Sequence, residues 1–399
     1  MMRVGAVLVG LSLTLLLSVG RSAAQPVGSA FQVNTFTPGV QGAPAVAAAP
    51  GTGDFVIVWE SFDQDGDYIG VFGQRYAASG AKQGGEFPAN AYTPGPQSAP
   101  DVSVGGDGSF VVVWQGYGEG SDYGDVFARR FAKDGTPQGD EFQVNEPVAG
   151  SYEGAAAVAE TASGFVIVWD DYEDVFARRF DGTGAPLGDS FQVNTATLGF
   201  QGSADVAATA DGGFVIAWED GYFDAPGEDG DGYGVFARRY DAAGNAAGMP
   251  FQVNTTTVGD QYSVSLGAPP GGGFVVVWQS YDVDVPDDSV VFGQRFDGGG
   301  APQGGEFRVN AAPSEAAARR PAPPRPAPRT RPPPPPPRPR LPPPPGARPA
   351  PPAAATATAT AWWRSTSWSA RSASPSTTAR RLAARRSTSP ATATSPSTT

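Results

Sequence analysis

Residues 164–194 read GFVIVWDDYEDVFARRFDGTGAPLGDSFQVN. The run Phe165 to Trp169 is apolar at every position, which suits a strand buried on both faces better than an edge strand with one wet face. The same order of segments recurs outward from it. FVIVW, FVVVW, FVIVW, FVIAW and FVVVW end at Trp59, Trp114, Trp169, Trp218 and Trp278, at intervals of 55, 55, 49 and 60 residues. Each is followed by VFGQRY or a close variant such as VFARRF, then a Gly-rich turn, then F-x-x-N. In the second copy Phe127 and Phe131 share a strand face with Arg129, while Val126 and Ala128 share the other with Arg130, so this strand is only partly dry.

A further strand fits Ala45-Val46, Asp101-Val102 and Asp205-Val206, and another fits FQVN at Phe142–Asn145, Phe191–Asn194 and Phe251–Asn254. Four short antiparallel strands repeated in this way describe the blade of a β-propeller, whose sheets pack face to face and need apolar residues on both sides. The expected fold is all-β, with five recognisable four-stranded blades at about 44–90, 100–145, 156–194, 204–254 and 262–310. An open β-repeat array is the alternative, but a unit this small buries too little surface to stand alone. Five cores stand against six F-x-x-N segments, so Phe31–Asn34 is an extra outer strand. If it closes the last blade, its partner lies beyond Asn310 and the ring is incomplete.

Composition narrows the chemistry. Met1, Met2 and Arg3 precede an apolar run from Val4 to Val19 and the small residues Ser22, Ala23 and Ala24, the pattern of a signal peptide over 1–24. The chain is thus expected to be exported: secreted, periplasmic or held at the cell surface, with no transmembrane segment after cleavage. Cysteine and histidine are both absent, which removes disulfides, Ser-His-Asp and Cys-His catalysis and every His or Cys zinc site. Residues 25–310 carry 11 basic against 39 acidic side chains, a net of −28. Such a surface repels nucleic acid and attracts cations.

Beyond Asn310 the composition turns to Pro, Ala and Arg, then to Ala, Thr, Ser and Arg, and 311–399 holds almost nothing that could build a core. One reading is a disordered tail, a polyproline stalk followed by a Ser/Thr-rich segment. The other is translation out of frame. In a GC-rich gene, Asp-Gly codons read one nucleotide late give Thr-Ala and Val-Val codons give Trp-Trp; Ala355–Trp363 (ATATATAWW) and Ala391–Thr394 carry these signatures.

A residue that recurs once per blade is expected to hold the blade. Arg75, Arg130, Arg179, Arg239 and Arg295 should pair with neighbouring carboxylates or carbonyls. The Asn residues of F-x-x-N should form turns, and the five Trp residues should be core. Deviations from the repeat are better places for function, and the connection after Trp varies most. It carries Asp63, Asp65, Gly66 and Asp67 in the first copy, Asp229 and Asp231 in the fourth, and Asp282 and Asp284 in the fifth. Carboxylates alternating around a Gly can wrap calcium, which takes six to eight oxygens, although no twelve-residue EF-hand loop is completed; a solvated acidic loop is the plainer reading.

The units GFVVVW, an Asp-Gly loop, VFGQRF and EFQVN resemble the tandem repeats of secreted bacterial proteins of the integrin-like FG-GAP or calcium-binding propeller kind, over Phe31 to Asn310. The resemblance implies an extracellular or surface module for adhesion and recognition of a protein or carbohydrate, with calcium in the inter-strand Asp loops. Asp63–Asp67 are similar to such a loop but fall short of its full length. The expectation is a non-catalytic binding or structural module with calcium as its only candidate cofactor. The rival is a glycosidase or lyase using paired carboxylates about 5 to 10 Å apart at the centre or top of a propeller. No sialidase-type Asp-box and no Asp, Glu, Tyr and Arg cluster set apart from the repeats marks an enzyme in the sequence.

Overall fold

The computed structural model describes residues 29–118, 124–146, 153–197, 199–221, 230–269, 271–281 and 289–310. The chain divides into two units, Met1–Pro321 and Ala322–Thr399. Residues 1–24, expected to be a signal peptide, and all of 311–399 lie outside the described residues. Every regular element described is a β-strand, and the strands form five separate four-stranded antiparallel sheets.

Blade 1 comprises Gln41–Ala48, Phe55–Phe62, Ile69–Tyr76 and Lys82–Pro88. Blade 2 comprises Gln97–Val104, Phe110–Gly116, Asp125–Phe131 and Phe142–Gln143. Blade 3 comprises Gly154–Thr161, Gly164–Asp170, Val175–Asp181 and Phe191–Gln192. Blade 4 comprises Phe200–Ala208, Phe214–Gly221, Gly234–Tyr240 and Phe251–Gln252. Blade 5 comprises Gln261–Gly267, Phe274–Tyr281, Ser289–Phe296 and Phe307–Arg308. Each chain segment is hydrogen-bonded to the next, and the first strands of successive blades pack on one another, which makes them the inner strands of a propeller.

The first strands of blades 1, 2 and 4 begin four or five residues before the pairs Ala45-Val46, Asp101-Val102 and Asp205-Val206 that mark them in the sequence, and that of blade 5 is built alike. The added length contains a β-bulge: the register slips between Gly42 and Ala45, Ser98 and Asp101, Gly202 and Asp205, and Tyr262 and Ser265. Ala43, Ala99, Ser203 and Ser263 sit there in the left-handed region. A bulge turns one N–H out of the ladder, where it needs another acceptor. The residue after Trp in the preceding blade supplies it: Ala99 N–H donates to Glu60 Oε1, Ser203 N–H to Asp170 Oδ2 and Ser263 N–H to Glu219 Oε1.

The described core lies between the blades. Val111, Val113, Val126, Ala128 and Val144 of blade 2 face Ala156, Val158, Phe165, Ile167, Trp169 and Phe180 of blade 3 in one apolar cluster. Equivalent clusters join blades 1 and 2, 3 and 4, and 4 and 5. Each fully buried Val or Ile stabilises by about 1.5–3 kcal/mol, so a blade owes its standing to its neighbours.

Three devices repeat within the blades and at these junctions. First, the arginine that ends VF(A/G)(R/Q)R reaches the turn of the next blade. Arg75 donates to Lys133 O, Arg130 to Thr183 O, Arg179 to Ala242 O and Ala243 O, and Arg239 to Gly299 O. Second, the F-x-x-N asparagine accepts the N–H that opens the third strand of its own blade. The pairs are Val71 to Asn90, Val126 to Asn145, Val175 to Asn194, Val235 to Asn254 and Val291 to Asn310. Asn90, Asn194 and Asn254 also turn the chain by donating two residues ahead, so the side chain is a strand clasp as well as a turn former. Third, the Phe of F-x-x-N packs on the aromatic residue ending the third strand of the next blade, as Phe87 does on Phe131 and Phe142 on Phe180.

Candidate functional site

On the face that carries the connections after Trp, blades 3, 4 and 5 enclose a cavity of about 630 Å³. Its walls are aromatic. Tyr172 follows the second strand of blade 3, Phe200 opens the first strand of blade 4, and Tyr233 precedes the third strand of blade 4. Phe200 packs against Tyr172 at 6.3 Å between ring centroids and edge-on to Tyr233 at 6.1 Å. Across the cavity Tyr262 and Tyr281 of blade 5 stack at 5.7 Å. Tyr172 and Tyr281 are exposed, and Tyr172 holds a left-handed φ of 69°.

Two linked carboxylates stand here, one of them in the cavity wall. Glu219, at the end of the second strand of blade 4, lies in the cavity wall and is buried, which pushes its pKa up to about 7. Asp170, the same position of blade 3, is pushed up to about 6, again by burial. Its charge raises Glu219 further, and Ser203 joins them: the amide donates to Asp170 Oδ2 at 3.1 Å, the hydroxyl hydrogen-bonds Glu219. Asp260, before the first strand of blade 5, lines the same cavity and accepts Tyr233 N–H through Oδ1 at 3.3 Å. A carboxylic acid that is half protonated near neutrality, beside a second carboxylate and flat apolar walls, can hold a sugar ring and give or take a proton at it.

Another pair lies on the inner strands. Asp101 of blade 2 accepts Val158 N–H and Asp205 of blade 4 accepts Leu266 N–H, each from the first strand of the next blade. Burial pushes Asp101 up to about 7, and the charge of Asp205 adds to it. Asp205 is raised by burial as well.

Of the residues expected to hold calcium, four are described. Asp65 Oδ1 caps its own loop by accepting Asp67 N–H, and Asp67 Oδ2 accepts Gly95 N–H. Asp63 sits at a left-handed φ of 60°. Asp231 Oδ2 accepts Gly259 N–H, and Asp229, Asp282 and Asp284 lie outside the described residues. Among the described residues no three carboxylates come together as a cation cage. Four of the five recurring arginines, Arg75, Arg130, Arg179 and Arg239, pair with carbonyls as recurrence implied, while Arg295 lies over Phe307; Trp59, Trp114, Trp169, Trp218 and Trp278 are all buried.

No protein-family model matches the chain, and no curated protein matches it. Solved structures do. The chain is similar to an exo-1,5-α-L-arabinanase from a bovine ruminal metagenomic library, at 12% identity, over 68% of this chain and 96% of that one, with a TM-score of 0.40. It is similar to an α-L-arabinofuranosidase from Lactobacillus brevis, at 12% identity, over 68% and 96%, with a TM-score of 0.39. It is also similar to an α-L-arabinanase from Penicillium chrysogenum complexed with arabinobiose, at 12% identity, over 59% and 71%, with a TM-score of 0.41.

The expectation of a non-catalytic binding or structural module is corrected here. The three solved structures named above are two arabinanases and an arabinofuranosidase, not adhesion modules, and in this chain a carboxylate and aromatic cluster that no stretch of the sequence displays is assembled from three blades. Its signal was the departure of Phe200, Asp260 and Tyr262 from the repeat: the first two stand where other copies have Val40 and Pro96, the third where they have Gly42, Ser98 and Gly202.

Proposed function

We propose that the propeller is a carboxylate-dependent glycosidase or lyase whose sugar ring lies in the aromatic cavity between blades 3, 4 and 5. The observation that carries this reading is Glu219, a wall residue of that cavity with its pKa at about 7. In this role Glu219 exchanges the proton at the glycosidic oxygen or the sugar carbon, and Asp260 is the second carboxylate across the cavity. Burial holds the proton on Glu219 up to near neutral pH and the charge of Asp170 adds to this, while the hydrogen bonds from Ser263 and Ser203 work against it. Tyr262 and Tyr281 form the stacking platform. The resemblance of the repeats to the FG-GAP kind supports the blade architecture and brings no residue to this cavity.

The test is a screen of plant and bacterial polysaccharides for new reducing ends or unsaturated products, repeated with Glu219→Gln, which keeps an acceptor for Ser263 N–H. We expect the variant to lose on the order of 100-fold or more in kcat. With Glu219 as the acid of a glycosidase the wild-type rate should fall as pH rises through about 7, and with Glu219 as the base of a lyase it should rise there instead. Turnover unchanged in Glu219→Gln, or no turnover of any glycan tried, removes the reading.

A further inference from the structure

We propose that a further blade of this same repeat belongs between blade 5 and blade 1. Its sequence would be carried by the gene in the frame one nucleotide removed from the one that gives Ala355–Thr388. The first support is the state of the two end blades. Val275 and Val277 of blade 5 are half-buried, whereas their counterparts Val111 and Val113 are buried. On the face of blade 1 turned away from blade 2, Val46 is 65% exposed, whereas Val102, Val158 and Val206 at the same position are at most 5% exposed. Arg295 has no turn to reach and lies over its own blade's Phe307 ring at 5.9 Å. Among the described residues no apolar cluster joins blade 5 to blade 1.

The second support is Phe31–Thr35, which makes the contacts of a blade that is not there. Phe31 packs on Tyr76 at 5.5 Å, as Phe87 packs on Phe131 one junction later. Thr35 N–H donates to Glu86, as Ala91 N–H does to Glu141 and Thr255 N–H to Glu306. Asn34 donates two residues ahead to Phe36 O like its counterparts. Yet residues 29–34 are paired with no strand, and no Val N–H is donated to Asn34 among the described hydrogen bonds. The segment is the outer end of the blade that directly precedes blade 1, and a tail copy with a Gln-Val-Asn end of its own would stand between that blade and blade 5.

The third support names the occupant. In the five blades the residue before the latch arginine and the clasp asparagine stand sixteen positions apart, as in Gln74 and Asn90 or Gln294 and Asn310. In the tail, Arg371-Ser372-Ala373-Ser374-Pro375 written CGC AGC GCT TCG CC contains CAG CGC TTC GCC, which is Gln-Arg-Phe-Ala. Arg385-Arg386-Ser387-Thr388 written CGC AGG TCA AC contains CAG GTC AAC, which is Gln-Val-Asn. With those codons the displaced Gln would fall at Ser372 and the displaced Asn at Thr388, again sixteen apart, after the Thr-Ala run and Trp362-Trp363 that would stand for Asp-Gly and Val-Val. A blade lists these features in that order, with a residue other than Phe before the displaced Gln-Val-Asn, and Gln-Arg-Phe closes the third strand of blade 5.

The coding DNA across codons 311–399 decides the sequence half: the displaced frame should be open and read Gln-Arg-Phe and Gln-Val-Asn at the stated codons, and a stop codon or other residues there overturn the proposal. For the structural half, Val46→Cys introduces the only thiol in a chain that has no cysteine, and Leu187→Cys, exposed on the third blade, is the control. In the frame-restored chain the thiol at position 46 should label slower by about tenfold or more than in the chain as it stands, while the control thiol labels alike in both. Equal labelling at position 46, failure of the restored chain to fold, or protection of that thiol in a dimer of the chain as it stands each contradicts it, the last by placing a second copy in the gap.

Discussion

Blades 1 and 3 carry the same pentapeptide, FVIVW, as do blades 2 and 5 with FVVVW. In blade 3 Phe165 and Ile167 are buried at 2% and 0%; in blade 1 Phe55 and Ile57 are only half-buried. The middle strands of blades 2, 3 and 4 are dry on both faces over their apolar runs, while those of blades 1 and 5 are dry mainly on one. Identical residues therefore end in different surroundings, and the difference is the presence of a neighbour. Burial in a repeat protein belongs to the junction and not to the repeat.

The largest effect expected from this contrast is in valine truncation. Val113→Ala, between blades 2 and 3, should cost about 2–3 kcal/mol, and Val277→Ala, at the free face of blade 5, roughly half of that or less. Urea denaturation of the two variants measures it, and equal losses would erase the contrast. Buried charge sharpens it next. Asp101 is held at the junction of blades 2 and 3 with its pKa up from 3.8 to about 7. Because the folded pKa is the higher, the folded state binds the proton more tightly; this stabilisation is complete below about pH 4 and is lost as pH rises through about 7. Asp101→Asn, which still accepts Val158 N–H, should stabilise the protein at pH 8 by on the order of 1–3 kcal/mol and change little at pH 4. Melting curves at the two pH values test this, and a loss at pH 8 would show that the carboxylate is better tolerated than its burial implies.

The smallest contrast concerns the clasps. Asn194→Ala leaves Val175 N–H buried without its acceptor and should cost about 1–2 kcal/mol, whereas Asn34→Ala should fall within about 0.5 kcal/mol of the parent. Denaturation midpoints separate the two, and a large loss for Asn34→Ala would mean that the orphan segment holds blade 1 more firmly than its contacts indicate.

Much of the architecture is legible in the residues because blades are local: FVVVW, VFARRF and FQVN are each one strand, and the turns between them are short. The bulge in the first strand was not, since nothing in Ala43 or Ser203 announces a left-handed residue. The candidate site was less legible still. Tyr172, Glu219 and Tyr281 meet only after three blades have packed, so no window of sequence contains them together. Glu219 also recurs in kind as Glu60 and Asp170, and recurrence argued for a structural role, which it has through Ser263 as well as the chemistry proposed.

The claim on which the rest depends is that each blade is held by a partner on either side, and native-state hydrogen exchange reads it residue by residue. Amides of the second strands of blades 2, 3 and 4 should exchange last, at the free energy of global unfolding. Those of Phe55–Phe62 and Phe274–Tyr281 should open earlier, although their strand hydrogen bonds are equally complete. Uniform protection across the five middle strands would contradict the account.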